Sequence, residues 1–182
     1  MRELKSSGTL YGHLTVTVYD VKNGQKKRRF RISKKNQITN GGRAVVLALL
    51  AQDAAGAALQ IDPTYNQIWS LAVGNDSTPV SVGDIALYGE LTLGRYALTI
   101  PVEREYVIIP PTTYEIHIHK EIAAGLHDGE TFAEAGLYTR GDDDDPTISV
   151  GQTLYARQIH PAFVKGAAMA VEYDWRLGML VQ

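Results

Sequence analysis

The chain has 182 residues, a formal net charge of −2 and no cysteine, which fits one domain whose core is large enough to hold without cross-links. Without thiols there is no disulfide framework, thiolate metal site or thiol nucleophile. A near-neutral balance with 21% charged residues excludes a domain-wide basic field for nucleic acid. Residues Met1 to Gly8 lack the apolar core of a secretion signal, and no apolar run approaches the roughly 20 residues that span a bilayer, so no membrane partner is expected.

Tyr11 to Val21 alternates, with Leu14, Val16 and Val18 set against Thr15, Thr17 and Tyr19, the period of a strand. Asn23-Gly24 follows, a pair that tolerates positive φ at both central positions of a tight turn, and a second strand is predicted from about Lys26 to Ser33. The chain thus opens with a hairpin at about 11–35. The one helix is predicted from about Gly41 to Gln52. Thr39 or Asn40 can cap it, Val45, Val46, Leu49 and Leu50 recur at helical spacing, and Gly56 with Asp62-Pro63 stops it. Ile68 to Val73 is largely apolar and bounded by Gly74-Asn75-Asp76, which reads as a strand buried on both faces. Further strands are expected over 91–102, 105–109, 113–122, 130–139, 153–160 and 168–180. Strand after strand, with turn signals about every ten residues and no alternating helices, predicts an antiparallel β-sandwich, jelly-roll-like, with one short α-helix, in a single domain of residues 1–182.

The densest charge feature is the opening hairpin. Eight of the eighteen basic residues fall between Lys22 and Lys35, including Lys26, Lys27, Arg28, Arg29 and Arg31. Clustered cations suit docking on an acidic protein surface through complementary potential; they also suit a charge-protected edge strand. Only Phe30 lies among them to stack on a base, which makes nucleic acid the weaker partner.

His117 and His119 are two apart on a predicted strand and therefore point the same way, the minimum for a shared zinc ion. No third ligand is tied to that face, and the histidines fall on the polar side of an alternating strand, so no metal is expected. The run Asp142 to Asp145 lacks the alternating ligands and glycine of a calcium loop and reads as a solvated loop tip. Markers of a nucleophile elbow, a phosphate-binding loop or a zinc-protease helix are absent from the sequence. No cofactor and no catalytic residue is assigned.

Glu134, among small and apolar neighbours, is the carboxylate that burial would perturb most. A hairpin of 130–139 with 153–160 that pairs Leu137 with Leu154 also pairs Ala135 with Ala156 and sets Glu134 opposite Arg157. This places Phe132, Glu134 and Tyr138 on one face and predicts a structural ion pair.

Three stretches carry a resemblance: Asn36-Gln37-Ile38-Thr39-Asn40-Gly41-Gly42; Leu71-Ala72-Val73-Gly74-Asn75 with Pro79 and Asp84-Ile85-Ala86-Leu87; and Phe132 to Tyr138 with Leu154-Tyr155-Ala156-Arg157 and a closing strand through Trp175. Their order resembles that in tailed-bacteriophage virion proteins and covers about residues 36–180. The resemblance implies a non-enzymatic component of head, neck, tail or baseplate. Such a protein would be assembled in the bacterial host cytoplasm, present in multiple copies, and partnered by other virion proteins and by copies of itself as a homo-oligomer. An alternative from another class is a module binding host-surface glycan or a receptor, with Tyr65, Trp69, Tyr88 and Tyr96 presented to sugars. A third is a hydrolase using Glu134 or the histidines.

Overall fold

A computed structural model of the protein describes residues 8–44, 67–99, 102–109, 113–140 and 152–181. Among these residues there are nine strands: β1 (Gly8–Lys22), β2 (Gln25–Ile38), β3 (Ile68–Gly74), β4 (Glu90–Ala97), β5 (Arg104–Ile109), β6 (Thr113–Ile122), β7 (Thr131–Thr139), β8 (Leu154–Val164) and β9 (Met169–Val181). Every pairing is antiparallel. The order is β4-β3-β7-β8-β2-β1-β9-β6-β5, and it folds over at β2. From Gln25 to Asn36 this strand pairs with β1 in the first sheet; at Gln37 and Ile38 it pairs with β8 in the second. The fold is the antiparallel β-sandwich that the strand pattern predicts.

Alternation along the strands supplies the core. Leu14, Val16 and Val18 of β1 and Val171, Tyr173 and Trp175 of β9 point inward from the first sheet, and Leu71, Val73, Ala135, Leu137 and Ala156 meet them from the second, all within one buried cluster. Burying each large aliphatic side chain in this way contributes about 1.5–3 kcal/mol, so no cross-link is needed.

The opening hairpin is longer than predicted and closes at Asn23 and Gly24, whose φ angles of 53° and 75° are those the turn requires. Helix α1 is described from Asn40 to Ala44; the rest of the predicted helix lies outside the described residues. Thr39 is its cap, accepting a hydrogen bond from the Gly42 amide at 3.1 Å. β4 stops at Ala97 and does not run to residue 102, because the chain turns: the Glu103 amide bonds the Thr99 carbonyl, and the Glu103 carboxylate takes the Thr99 amide. β8 continues past His160 through Pro161, which lacks an N–H but sits on a stretch with no second neighbour among the described strands.

Candidate functional site

On the side of the second sheet away from the inter-sheet core, Arg157 and Glu134 are fully buried and bonded, Nε to Oε2 at 2.7 Å. The predicted ion pair is present, but the predicted register is corrected. Leu137 pairs with Ala156, Gly136 with Arg157 and Glu134 with Ile159, so the two charges meet diagonally. A shift of two residues keeps every side chain on its face, which is why the pair survives the error. Register irregularities on either side, between Phe132 and Glu134 and between Leu137 and Tyr138, were invisible to an alignment that assumed strict period two. The first of them also moves Phe132 into the inter-sheet core, off the face of Glu134.

The pair is the centre of a larger node. Arg157 Nη1 bonds Asp84 Oδ2 at 3.0 Å and Nη2 bonds the Thr78 carbonyl at 3.1 Å, while the Tyr88 ring lies 4.5 Å from the guanidinium carbon. Asp84 also accepts from the Ser81 amide and the Tyr88 hydroxyl. Burial pushes the Asp84 carboxyl up, but the Ser81 amide, Arg157 and Tyr88 outweigh it and hold the group below its ordinary range. For Arg157, burial favours the neutral form, and the two carboxylates reverse this and hold it above its usual value. The second oxygen of Glu134 accepts the Gly89 amide at 2.7 Å. A side chain at Gly74 would strike that same oxygen and come within 2.7 Å of the Gly89 carbonyl, so close approach of β3 to the node requires glycine there.

Thr78, Ser81, Asp84, Tyr88 and Gly89 all belong to the β3–β4 connection, which Arg157 straps across the second sheet. Beneath the strap, Leu87 packs with Ala72, Tyr138 and Leu154, and the Leu87 amide bonds the Tyr138 hydroxyl at 2.9 Å. The capped end of β2 joins it: Asn40 donates to the Val82 carbonyl at 2.6 Å, and the Thr39 hydroxyl bonds the carbonyls of Leu154 and Tyr155. The three separated stretches that carry the sequence resemblance therefore converge on one framework.

The basic hairpin is exposed from Lys26 to Arg29 and at Arg31. Lys26 is engaged within the fold, bonded to Glu121 at 2.7 Å and Glu172 at 3.0 Å, and the Glu121 bond is the main reason its ammonium stays above the usual range. Arg29 approaches Asp20 at 3.5 Å. Lys27, Arg28 and Arg31 have no ion partner among the described residues.

The histidines line a polar depression of about 480 Å³ on the outer face of the first sheet, running from Arg31 and Ser33 on β2 across His13 to His117 and His119 on β6 and Glu105 on β5. Each ring faces an oxygen: His13 faces Ser33 at 3.3 Å, His117 faces Glu115 at 2.5 Å and His119 faces Asp174 at 2.6 Å. Glu115 is covered by Tyr11, whose hydroxyl bonds it. No group of three or more His, Asp or Glu among the described residues is arranged to hold a metal, and Asp142 to Asp145 lie outside those residues.

Of the aromatics that could be presented to sugars, Tyr88 is exposed while it lies against Arg157, and the others are placed differently. Tyr88 covers Arg157, Arg140 lies 4.9 Å from the Trp69 ring centre, the Tyr96 hydroxyl is buried, and Tyr65 is outside the described residues. Two features had no sequence signal: the role of Asp84, fifty residues from Glu134, and Lys165, fully buried with no hydrogen-bond partner for its ammonium among the described residues. Among the described residues no helix is long and apolar enough to cross a membrane. In comparisons with known proteins, no family model matches the chain, and no curated protein or solved structure is significantly similar to it.

Proposed function

We propose that the chain is a non-enzymatic structural component of a bacteriophage particle, attached in multiple copies to a larger virion assembly. The observation that carries this reading is the convergence of the three resembling stretches. These stretches lie far apart in sequence, yet the second and third meet at the node of Arg157, Glu134 and Asp84, and the first pairs Gln37 with Arg157 and bonds Val82, Leu154 and Tyr155 beside it. Both Glu134 oxygens are bonded, one to Arg157 and one to the Gly89 amide, which counts against a hydrolytic role for that carboxylate. A loop strapped by buried charges makes a stiff surface, which suits a part that must present the same shape in every copy. Mass spectrometry and cryo-electron imaging of purified source particles test this: the chain is expected at a fixed multiple copy number on head, neck, tail or baseplate. Complete particles that lack it would refute the reading.

A further inference from the structure

The outer face of the first sheet carries a charge arrangement that the fold does not need. Leu14, Ile118 and Trp175 point into the core, so their strand neighbours point out. Pairing sets Lys35, His13, Arg176, His117 and Glu105 abreast in one row from β2 to β5, and Ser33, Thr15, Asp174 and His119 abreast in the next. Four nitrogen-headed side chains thus stand side by side in the first row, which like charge makes unfavourable for every imidazole that takes a proton. Glu115 and Asp174 are already engaged. Glu115 gives one oxygen to Tyr11 and the other to His117, and Asp174 turns one to His119. Arg176 lies in the field of Glu115 without bonding it, and neither Arg176 nor Arg31 has a hydrogen bond or ion pair with a described residue.

We propose that the depression over these rows binds an acidic oligosaccharide. Its volume of about 480 Å³ is that of a small-ligand site. An apolar ligand would gain little there, because Ile118 and Trp175 keep their side chains in the core and Val102 is the one exposed apolar side chain in the lining. Arg176, in the middle of its row, offers the paired N–H donors that fit a sugar carboxylate. Arg31 closes one end and meets a second acidic unit, since the site crosses four strand spacings from β2 to β5, roughly 19 Å, more than one sugar ring fills. Acids select the rest of the ligand. Glu105 and the second oxygen of Asp174 have no hydrogen-bond partner among the described residues and accept from hydroxyls. A bare anion such as phosphate would face both carboxylates with nothing to donate to them, whereas a ligand that joins a carboxylate to many hydroxyls complements both signs. Recognition therefore rests on charge and hydrogen bonds, not on the tyrosines and tryptophan singled out in the sequence. The site does not depend on the particle reading above.

Calorimetric titration of the purified full chain tests this with a panel of uronate and sialylated trisaccharides, with the same trisaccharides after reduction of their carboxylates to alcohols, and with inorganic phosphate. At least one acidic trisaccharide is expected to bind about tenfold more tightly than its reduced form, the loss of one charge-assisted hydrogen bond. In nuclear magnetic resonance spectra it should shift the ring signals of His13, His117 and His119. Those of His127 and His160, which pack against Phe132 and Tyr173, should stay in place. Arg176→Gln should weaken binding about tenfold with circular dichroism and thermal unfolding unchanged. The exposed Glu105→Gln and Arg31→Gln should weaken it as well, and they carry the test if Arg176→Gln fails to fold. Four results overturn the inference: no binding of any acidic trisaccharide at millimolar concentration, equal binding of the reduced forms or of phosphate, shifts confined to the amides of Lys27 and Arg28 on the hairpin, or an affinity that the folded variants leave intact.

Discussion

The strapped face of the second sheet and the opening hairpin use the same residue type in opposite ways. Arg157 has no exposure and meets Glu134, Asp84 and the Thr78 carbonyl, each at 3.1 Å or less. Arg28 and Arg31 stand in solvent without an ion partner among the described residues. A buried guanidinium is tolerated only when its donors are used, so the fold around Arg157 is fixed by it; an exposed one leaves the fold indifferent and its charge available. Position in the sandwich thus separates charges that shape the molecule from charges that face outward.

The sharpest way to break this contrast is to remove Arg157. Arg157→Ala leaves two carboxylates buried beside each other and should cost about 3–5 kcal/mol in denaturant unfolding. Amides of the β3–β4 connection should also lose protection from hydrogen exchange well before those of β1 and β9. Unchanged protection at Ser81 and Gly89 would show that the strap does not depend on this residue.

The two regions also differ in how legible they were. The hairpin was readable because its information is local: alternation, an Asn-Gly turn and a charge run all lie within about 25 residues. The Glu134–Arg157 pair was partly readable because β7 and β8 are neighbours in the chain, and parity survives a two-residue slip. Asp84, Thr78 and Gly89 were not readable as partners, since nothing in a loop sequence says which strand it will cover. The same holds for Tyr11, which reaches Glu115 across 104 residues. Lys165 was hidden differently: its flanks suggest an exposed strand end, yet it is packed away.

Acid separates the strap from the core. His160 is buried between Phe163 and Tyr173, and burial pushes it down to about 4. Its folded value lies below its unfolded one, so the associated stability is full above about pH 6.5 and drains away as pH falls toward about 4, by about 3 kcal/mol at most. Asp84 is also depressed, but from an ordinary value near 3.8, so its contribution is lost only as pH falls further through the folded value. Chemical unfolding between pH 7 and 3 should therefore show two phases, and His160→Gln should flatten the first alone. A wild-type profile that is level between pH 6.5 and 4.5 would contradict the burial argument for His160.

Glycines compare the two regions at one atom each. Gly74→Ala drives a methyl group into Glu134 and the Gly89 carbonyl, an overpacking cost of about 1–3 kcal/mol. At the hairpin, Gly24→Ala meets nothing within 4 Å, and only its positive φ of 75° opposes the change, at about 1 kcal/mol. Equal losses in the two variants would mean that the strap yields as easily as the turn.

The smallest expected effect belongs to the hairpin cations themselves. Lys27 and Arg28 have no acidic partner among the described residues, so Lys27→Ala and Arg28→Ala should each change stability by under about 0.5 kcal/mol, and in the stabilising direction if repulsion among the eight charges dominates. Lys26 is the internal control. It bridges Glu121 and Glu172, and its removal leaves two neighbouring carboxylates without their cation, so Lys26→Ala should cost up to about 1 kcal/mol and lose that cost in high salt. Thermal unfolding of the three variants at low and high salt measures the difference directly. If Arg28→Ala destabilised the protein as much as Lys26→Ala at low salt, the hairpin charge would be serving the fold, and the contrast with the strapped face would fail.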